Sequence, residues 1–176
     1  MTEQFDMRYR LDIVSPNVRD AVRFAGGWLY DRSMAGWDVT VLVDSVVEDV
    51  RPLEILGATV LALEPVLESW ADRPHPQTVA VAADLIDCDE RVRQHVRTAL
   101  DHGYTEVTLW GERCPADLDD DVDAVRHELS AAARAFKAQA LAAVDDIEAD
   151  FVGSTETFRC GMTARPSVAA DLIPAG

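Results

Sequence analysis

The sequence predicts an α/β fold with a single doubly wound, mostly parallel sheet of about five strands, Rossmann-like or flavodoxin-like. Helical and strand patterns alternate along the chain, which is typical of parallel sheets with right-handed crossovers. Three predicted helices end at a glycine that leads into an apolar run, at Gly36, Gly57 and Gly103. The central apolar runs are almost continuous, as in strands that are buried on both faces.

The first unit is a strand, a helix and a second strand. Residues 11–14 and 39–43 are short apolar runs that predict the strands. Apolar residues at helical spacing predict a helix over residues 18–35, with Asn17 as its N-cap. The residues of that stripe are Val18, Val22, Ala25 and Leu29.

Two features of this unit need an explanation. Asp12 lies inside the first strand, although both common doubly wound strand orders place that strand centrally. Either the carboxylate is buried and paired, or the strand is less central. Gly26 and Gly27 lie in the middle of the helix, where each costs about 1 kcal/mol relative to alanine. Close approach of the helix to a strand, or a kink made for a ligand, would compensate for them.

The elements downstream repeat the pattern. Short helices are predicted from Pro52 to Gly57 and over residues 66–71, and a longer helix ends at His102. Three further strands are predicted, over residues 59–63, 78–83 and 106–110. The last of these alternates polar and apolar residues, which predicts an edge strand.

Residues 121–150 predict a long helix, since their apolar residues recur at spacings of three and four. It would span about 45 Å and overhang the sheet. We therefore expect a homo-oligomer that pairs through the helix around Val122 to Phe151; the alternative is a break near Ala142 that folds the helix back. The stripe comprises Val122, Val125, Leu129, Ala132, Phe136, Ala140, Val144, Ile147 and Phe151.

The last residues show no sustained period. The sequence therefore predicts an α/β domain over residues 1–151 and an irregular C-terminal tail over residues 152–176. Four apolar residues are expected to anchor this tail on the domain or on a partner: Phe158, Met162, Leu172 and Ile173.

Charge and composition limit the classes of partner. The chain has 32 acidic and 16 basic residues and a net charge of −16, so its surface repels phosphate backbones and anionic lipid headgroups. We expect no direct contact with nucleic acid or membrane. No apolar run reaches the ~20 residues of a membrane span. Cys88, Cys114 and Cys160 are far apart and odd in number, which favours free thiols and a cytoplasmic protein.

Candidate ligand-binding residues follow the predicted strands, because open α/β sheets bind ligands at the carboxyl ends of their strands. They are Ser15, Asn17, Asp44, Ser45, Asp84, Gly111 and Glu112. The turn at Ser15 and Asn17 could offer backbone N–H groups to a phosphate, or Asn17 could simply cap the helix. Asp84 and Asp87 could act as an acid and a base, or serve only as caps.

The sequence contains no motif that specifies a cofactor or a metal. It has no GxGxxG or GxxxxGK[ST] pattern, and no serine lies in a GxSxG elbow. Cys88, His95 and His102 are spaced by seven residues, about 10 Å along a helix, whereas zinc ligands lie about 2 Å from one ion. We therefore expect neither a cofactor nor a metal.

Two functions are compatible with these residues. The leading hypothesis is a non-catalytic or regulatory module that binds a small-molecule ligand or a protein partner. This module could be a homodimer. The alternative is a small transferase or hydrolase that uses polar residues at the carboxyl ends of the strands. The two differ in whether those residues converge on one pocket.

Overall fold

The computed structural model describes residues 8–44, 49–111, 113–144, 151–161 and 171–175. These residues form a mixed sheet of eight strands and six helices. The strands are β1 (Arg10–Ser15), β2 (Asp38–Val43), β3 (Thr59–Ala62), β4 (Thr78–Ala82), β5 (Glu106–Trp110), β6 (Asp123–Glu128), β7 (Thr155–Cys160) and β8 (Ile173–Pro174). The helices are α1 (Val18–Met34), α2 (Arg51–Ile55), α3 (Leu63–Glu68), α4 (Ala83–Cys88), α5 (Glu90–His102) and α6 (Ala131–Ala143).

The strand order is β3-β2-β1-β4-β5-β7-β6-β8. Strands β1 to β5 are parallel, whereas β7 is antiparallel to both of its neighbours and β8 is antiparallel to β6. The predicted fold class is therefore wrong, because the sheet is a mixed one of eight strands and not a mostly parallel one of about five. The three added strands escaped prediction since β6 and β7 are largely polar and half exposed.

The helices form two layers. Parallel crossovers are right-handed, so α1 and α2 cover one face of the sheet and α3, α4 and α5 the other. Helix α6 packs against α1 and α2 and extends the first layer. None of the helices in the described part of the chain is long and apolar enough to cross a membrane.

Asp12 is buried and paired. Strand β1 lies between β2 and β4, and only 1% of Asp12 is exposed. Both carboxylate oxygens accept hydrogen bonds from Arg73 Nη2, at 3.0 and 3.1 Å. Burial raises the pKa of Asp12 even though the Arg73 guanidinium opposes the shift. The first of the two alternatives for Asp12 is therefore correct.

The predicted edge strand is wrong. Strand β5 lies between β4 and β7, and all five of its residues are buried. Its acidic residue Glu106 has a buried partner, because Arg32 Nη2 lies 3.1 Å from Glu106 Oε1. The alternation of polar and apolar residues in β5 thus reflects an internal ion pair and not contact with water.

The predicted long helix is wrong in its first third. Residues 123–128 form β6, which pairs with β7 along its whole length. Helix α6 begins at Ala131 and ends at Ala143, while residues 145–150 lie outside the described part of the chain. Homo-oligomerisation through Val122 to Phe151 stays a prediction, without the overhanging helix from which it was derived.

The predicted irregular tail is wrong for residues 155–160, which form β7, and for the short strand β8. Phe158 and Leu172 are buried, and the Phe158 ring lies 4.9 Å from that of Trp28. Ile173 is 36% exposed, and Met162 lies outside the described residues.

Asp171 connects the segment before β8 to helix α1 by hydrogen bonds. It accepts hydrogen bonds from the side chains of Trp28 and Arg32, each at 2.9 Å. The Arg32 guanidinium itself lies over two indole rings, 4.6 Å from Trp28 and 4.1 Å from Trp37. Residues close to the C-terminus therefore contribute to the buried interior.

Candidate functional site

The candidate site is a cavity of about 530 Å³ at the carboxyl ends of the parallel strands. The connection after β1 runs to β2, whereas the connection after β4 runs to β5 on the opposite side of these two central strands. A crevice opens between the two connections. Among the described residues, five charged side chains line the cavity: Asp20, Arg23, Asp84, Asp87 and Arg113.

The start of α1 supplies two of these side chains. The side chain of Asn17 caps the helix, since its Oδ1 accepts from the backbone N–H of Asp20 at 2.7 Å. The buried Ser15 hydroxyl donates to the carbonyl of Asn17 at 2.8 Å and fixes the turn. The cap thus sets the direction of the first helical turns, from which Asp20 and Arg23 reach the cavity.

The end of β4 supplies the next two. Helix α4 begins at Ala83 directly after the strand, so Asp84 and Asp87 lie one turn apart on one helical side. Asp87 pairs with Arg93, at 2.9 Å between Oδ1 and Nη2. Asp84 is exposed, and among the described residues its carboxylate has no hydrogen-bond partner.

The end of β5 supplies the last one. Gly111 has φ of +130°, a conformation that L side chains rarely adopt, and a Cβ there would lie 3.5 Å from that of Ala83. The turn at Gly111 brings Arg113 to the cavity wall. Within the described part of the chain the Arg113 guanidinium has no ion-pair partner. The cavity thus contains an anion and a cation that are both available to a ligand.

The structure brings together only some of the predicted residues. Asp84 and Gly111 line the cavity, and Ser15 and Asn17 build the adjacent turn. Asp44 is exposed at the end of β2 and does not line the cavity; its backbone N–H donates to the carbonyl of Ser15 at 3.2 Å. The remaining two predicted residues, Ser45 and Glu112, lie outside the described residues.

Sequence reasoning missed Asp20, Arg23 and Arg113. Asp20 and Arg23 are three residues apart, directly after a helix cap that follows a strand. That spacing places two side chains on one side of the first turns, and it could have nominated both. No signal in the sequence marks Arg113.

No three His, Cys, Asp or Glu side chains of the described residues are arranged to hold a metal ion. Cys88 ends α4, whereas His95 and His102 lie on α5. The expectation of no metal and no cofactor stays a prediction.

Comparison with known proteins gives structural matches alone. No protein-family model matches the chain, and no curated protein matches it significantly. A crystal structure of the A40926 pseudoaglycone deacetylase is 18% identical with a TM-score of 0.61, over 91% of this chain and 100% of that one. A deacetylase–teicoplanin complex from teicoplanin biosynthesis is 16% identical with a TM-score of 0.61, over 86% and 97%.

A third match is the 4-carboxy-2-hydroxymuconate hydratase of Pseudomonas putida. It is 13% identical with a TM-score of 0.58, over 91% of this chain and 98% of that one. At these identities the likeness shows the fold. This finding overturns the leading hypothesis of a non-catalytic or regulatory module, because the matched structures named here are of enzymes, deacetylases and a hydratase. The alternative, a small transferase or hydrolase, agrees better with this finding.

Proposed function

We propose that this protein is a small hydrolase that removes an acyl group from a polar substrate, and that the cavity at the ends of β4 and β5 is its active site. One observation carries the proposal: Asp84 and Arg113, of opposite charge and without partners among the described residues, line one cavity. The cavity lies at the carboxyl ends of the strands, where open α/β sheets bind their ligands. The fold that this protein shares with a deacetylase and a hydratase supports the same proposal.

The proposed mechanism uses Asp84 as a general base. Its carboxylate takes a proton from a water molecule as the water oxygen bonds to the acyl carbon. The guanidinium of Arg113 stabilises the negative charge that develops on the acyl oxygen. Collapse of this intermediate breaks the bond to the leaving nitrogen or oxygen, and Asp84 returns the proton to it, so that the carboxylate is regenerated.

The remaining charges of the cavity suit a polar substrate. Arg23 offers a second cation, and Asp20 and Asp87 offer anions, so groups of either sign can be bound. A polar cavity of this kind disfavours a purely hydrocarbon substrate, because its charged groups would lose water without a partner.

The test is release of acetate, followed by proton NMR, from a panel of N-acetylated amino sugars, N-acetylated amino acids and acetate esters. Asp84→Asn should lower kcat by about 10²- to 10⁴-fold, the usual contribution of a general base. Asp120→Asn is the matched control, since Asp120 is exposed and does not line the cavity. Equal activity of Asp84→Asn and wild type, or no release from the whole panel, would contradict the proposal.

The place of action is also a proposal. Cys88, Cys114 and Cys160 are free thiols. Free cysteines suit a reducing compartment, which supports a cytoplasmic location.

A further inference from the structure

We infer that a second cavity, between α3 and α5 on the opposite helical layer, binds a small uncharged molecule that contains an aromatic ring. Its volume is about 320 Å³. It shares no lining residue with the candidate active site. The inference therefore stands independently of the proposed hydrolase activity.

The cavity exists because the helical layer is thin at this point. Helix α3 has six residues and is followed by a short turn at Trp70–Asp72, so it covers little of the sheet. On the sheet side it is lined by Val79 and Val81 from β4, Val14 from β1 and Val107 from β5. The cavity lies at the lower end of ligand-pocket volumes, about 300 to 1,000 Å³, which fits a small molecule.

The lining determines the charge of the ligand. None of the described residues that line the cavity is Asp, Glu, Lys or Arg, although charged residues make up 27% of the chain. An ionised ligand would lose its hydration without gaining an opposite charge, which is strongly unfavourable. An uncharged apolar molecule loses nothing of this kind and gains from the burial of its surface.

Polar atoms of the cavity include those of three of the chain's four histidines, His75, His95 and His102. His102 Nδ1 lies 2.8 Å from the carbonyl of Thr98. A carbonyl accepts hydrogen bonds only, so Nδ1 donates; in the tautomer that carries its proton on Nδ1 alone, Nε2 is an acceptor. His75 Nε2 already pairs with the Thr105 hydroxyl at 2.7 Å. A ligand with one hydroxyl or N–H donor matches the acceptor on His102.

A flat wall favours an aromatic ligand. The rings of Trp70 and His95 are stacked, with centroids 4.5 Å apart and planes 22° apart. Burial lowers the pKa of His95, while the charge of Asp89 opposes the shift to a lesser extent. The His95 ring is therefore less readily protonated than a free imidazole. Aromatic rings pack well against such a surface in offset or edge-to-face geometry.

The first test uses N-phenyl-1-naphthylamine, an uncharged aromatic probe with one N–H group whose fluorescence rises in apolar sites. The wild type should bind it saturably, with one probe per chain. Ala99→Phe places a ring in the cavity and should weaken binding at least tenfold. Ala138→Phe on α6 is the matched control, since Ala138 is also half-buried but lies outside the cavity. Asp84→Asn should bind like wild type.

The second test does not depend on whether Ala99→Phe folds. Nuclear Overhauser effects should connect the probe's aromatic protons to the methyl groups of Val79, Val81 and Val96 in methyl-labelled wild type. The absence of saturable binding overturns the inference. So does binding that the folded Ala99→Phe variant retains, and so do effects only to methyl groups outside this cavity.

Discussion

Lys137 and Glu156 form a buried ion pair that supplies hydrogen-bond partners to backbone groups in the middle of α1. Lys137, the only lysine of the chain, places Nζ 2.5 Å from Glu156 Oε2 and 2.6 Å from the carbonyl of Arg23. The Glu156 carboxylate accepts from the backbone N–H of Gly27 at 2.9 Å and of Trp28 at 2.7 Å. In a regular helix the Arg23 carbonyl and the Gly27 N–H bond to each other; here each has a side-chain partner.

The first prediction concerns this pair. Glu156→Ala should lower the free energy of unfolding by about 3–5 kcal/mol, because it leaves the ammonium of Lys137 buried without a counter-charge. Glu156→Gln keeps an acceptor for the two N–H groups and should lose less. Urea unfolding monitored by circular dichroism measures both. A loss below about 1 kcal/mol for Glu156→Ala would show that the pair contributes little.

The second prediction separates the two glycines of α1. A Cβ on Gly27 would overlap the Leu129 side chain, whereas one on Gly26 would lie 3.3 Å from Leu56 Cδ1. Gly27→Ala should therefore lower stability by about 1–3 kcal/mol, the usual effect of overpacking. Gly26→Ala should be close to neutral, since the better helix propensity of alanine offsets a tight contact. Equal midpoints of thermal unfolding for the two variants would contradict this.

Local patterns predicted the first half of the chain well, for identifiable reasons. Strand β1 and helix α1 lie close to their predicted bounds, because continuous apolar runs and a capped helical stripe depend on neighbouring residues only. Gly36, Gly57 and Gly103 all have positive φ, as their predicted role as helix ends requires.

The second half depends on contacts between distant residues. Glu156 reads as an exposed residue of a polar segment, yet its partner Gly27 lies 129 residues earlier. Likewise, Val125 and Leu129 fit a helical stripe, but pairing with β7 places residues 123–128 in a strand. In the candidate site, Asp84 and Gly111 were predicted because ligands bind at the ends of the strands. The position of Arg113 could not be predicted, because it depends on how the chain turns after β5.

The third prediction is a loss of stability in acid. Burial opposes ionisation of Asp171, but the hydrogen bonds and charge of Arg32 outweigh it and lower the pKa. The contribution of the ionised carboxylate is therefore complete above the unfolded-state pKa of about 3.9 and is lost as pH falls through the folded-state value. The stability difference between wild type and Asp171→Asn should shrink below about pH 4. A constant difference in urea titrations from pH 3 to 6 would contradict it.

The fourth prediction has the opposite sign. Burial raises the pKa of Asp12, against the effect of Arg73. A raised carboxyl pKa favours folding fully below about pH 3.9, and this contribution is lost as pH rises through the folded-state value. Asp12→Asn does not titrate, so its stability should improve relative to wild type as pH rises above about 4. The same urea titrations measure this, and a slope of the same sign as for Asp171→Asn would refute it.

The fifth prediction concerns thiol reactivity. Cys88 is exposed and Cys160 is buried. Burial raises the pKa of the partly exposed Cys114, which lowers its thiolate fraction at neutral pH. Iodoacetamide at pH 7.5 should modify Cys88 first, as peptide mass spectrometry would show. Modification of Cys114 or Cys160 at the rate of Cys88 would contradict the structure.

The position of β7 between β5 and β6 has a consequence for biosynthesis. A ribosome that adds about 5 to 20 residues per second needs roughly 6 to 26 seconds to proceed from Gly27 to Glu156. During that interval the middle of α1 lacks the Lys137–Glu156 pair, and β5 presents an open edge from its own synthesis until β7 follows. An unpaired strand edge invites aggregation. The nascent chain should therefore be most prone to aggregation after β5 and before β7 has been synthesised.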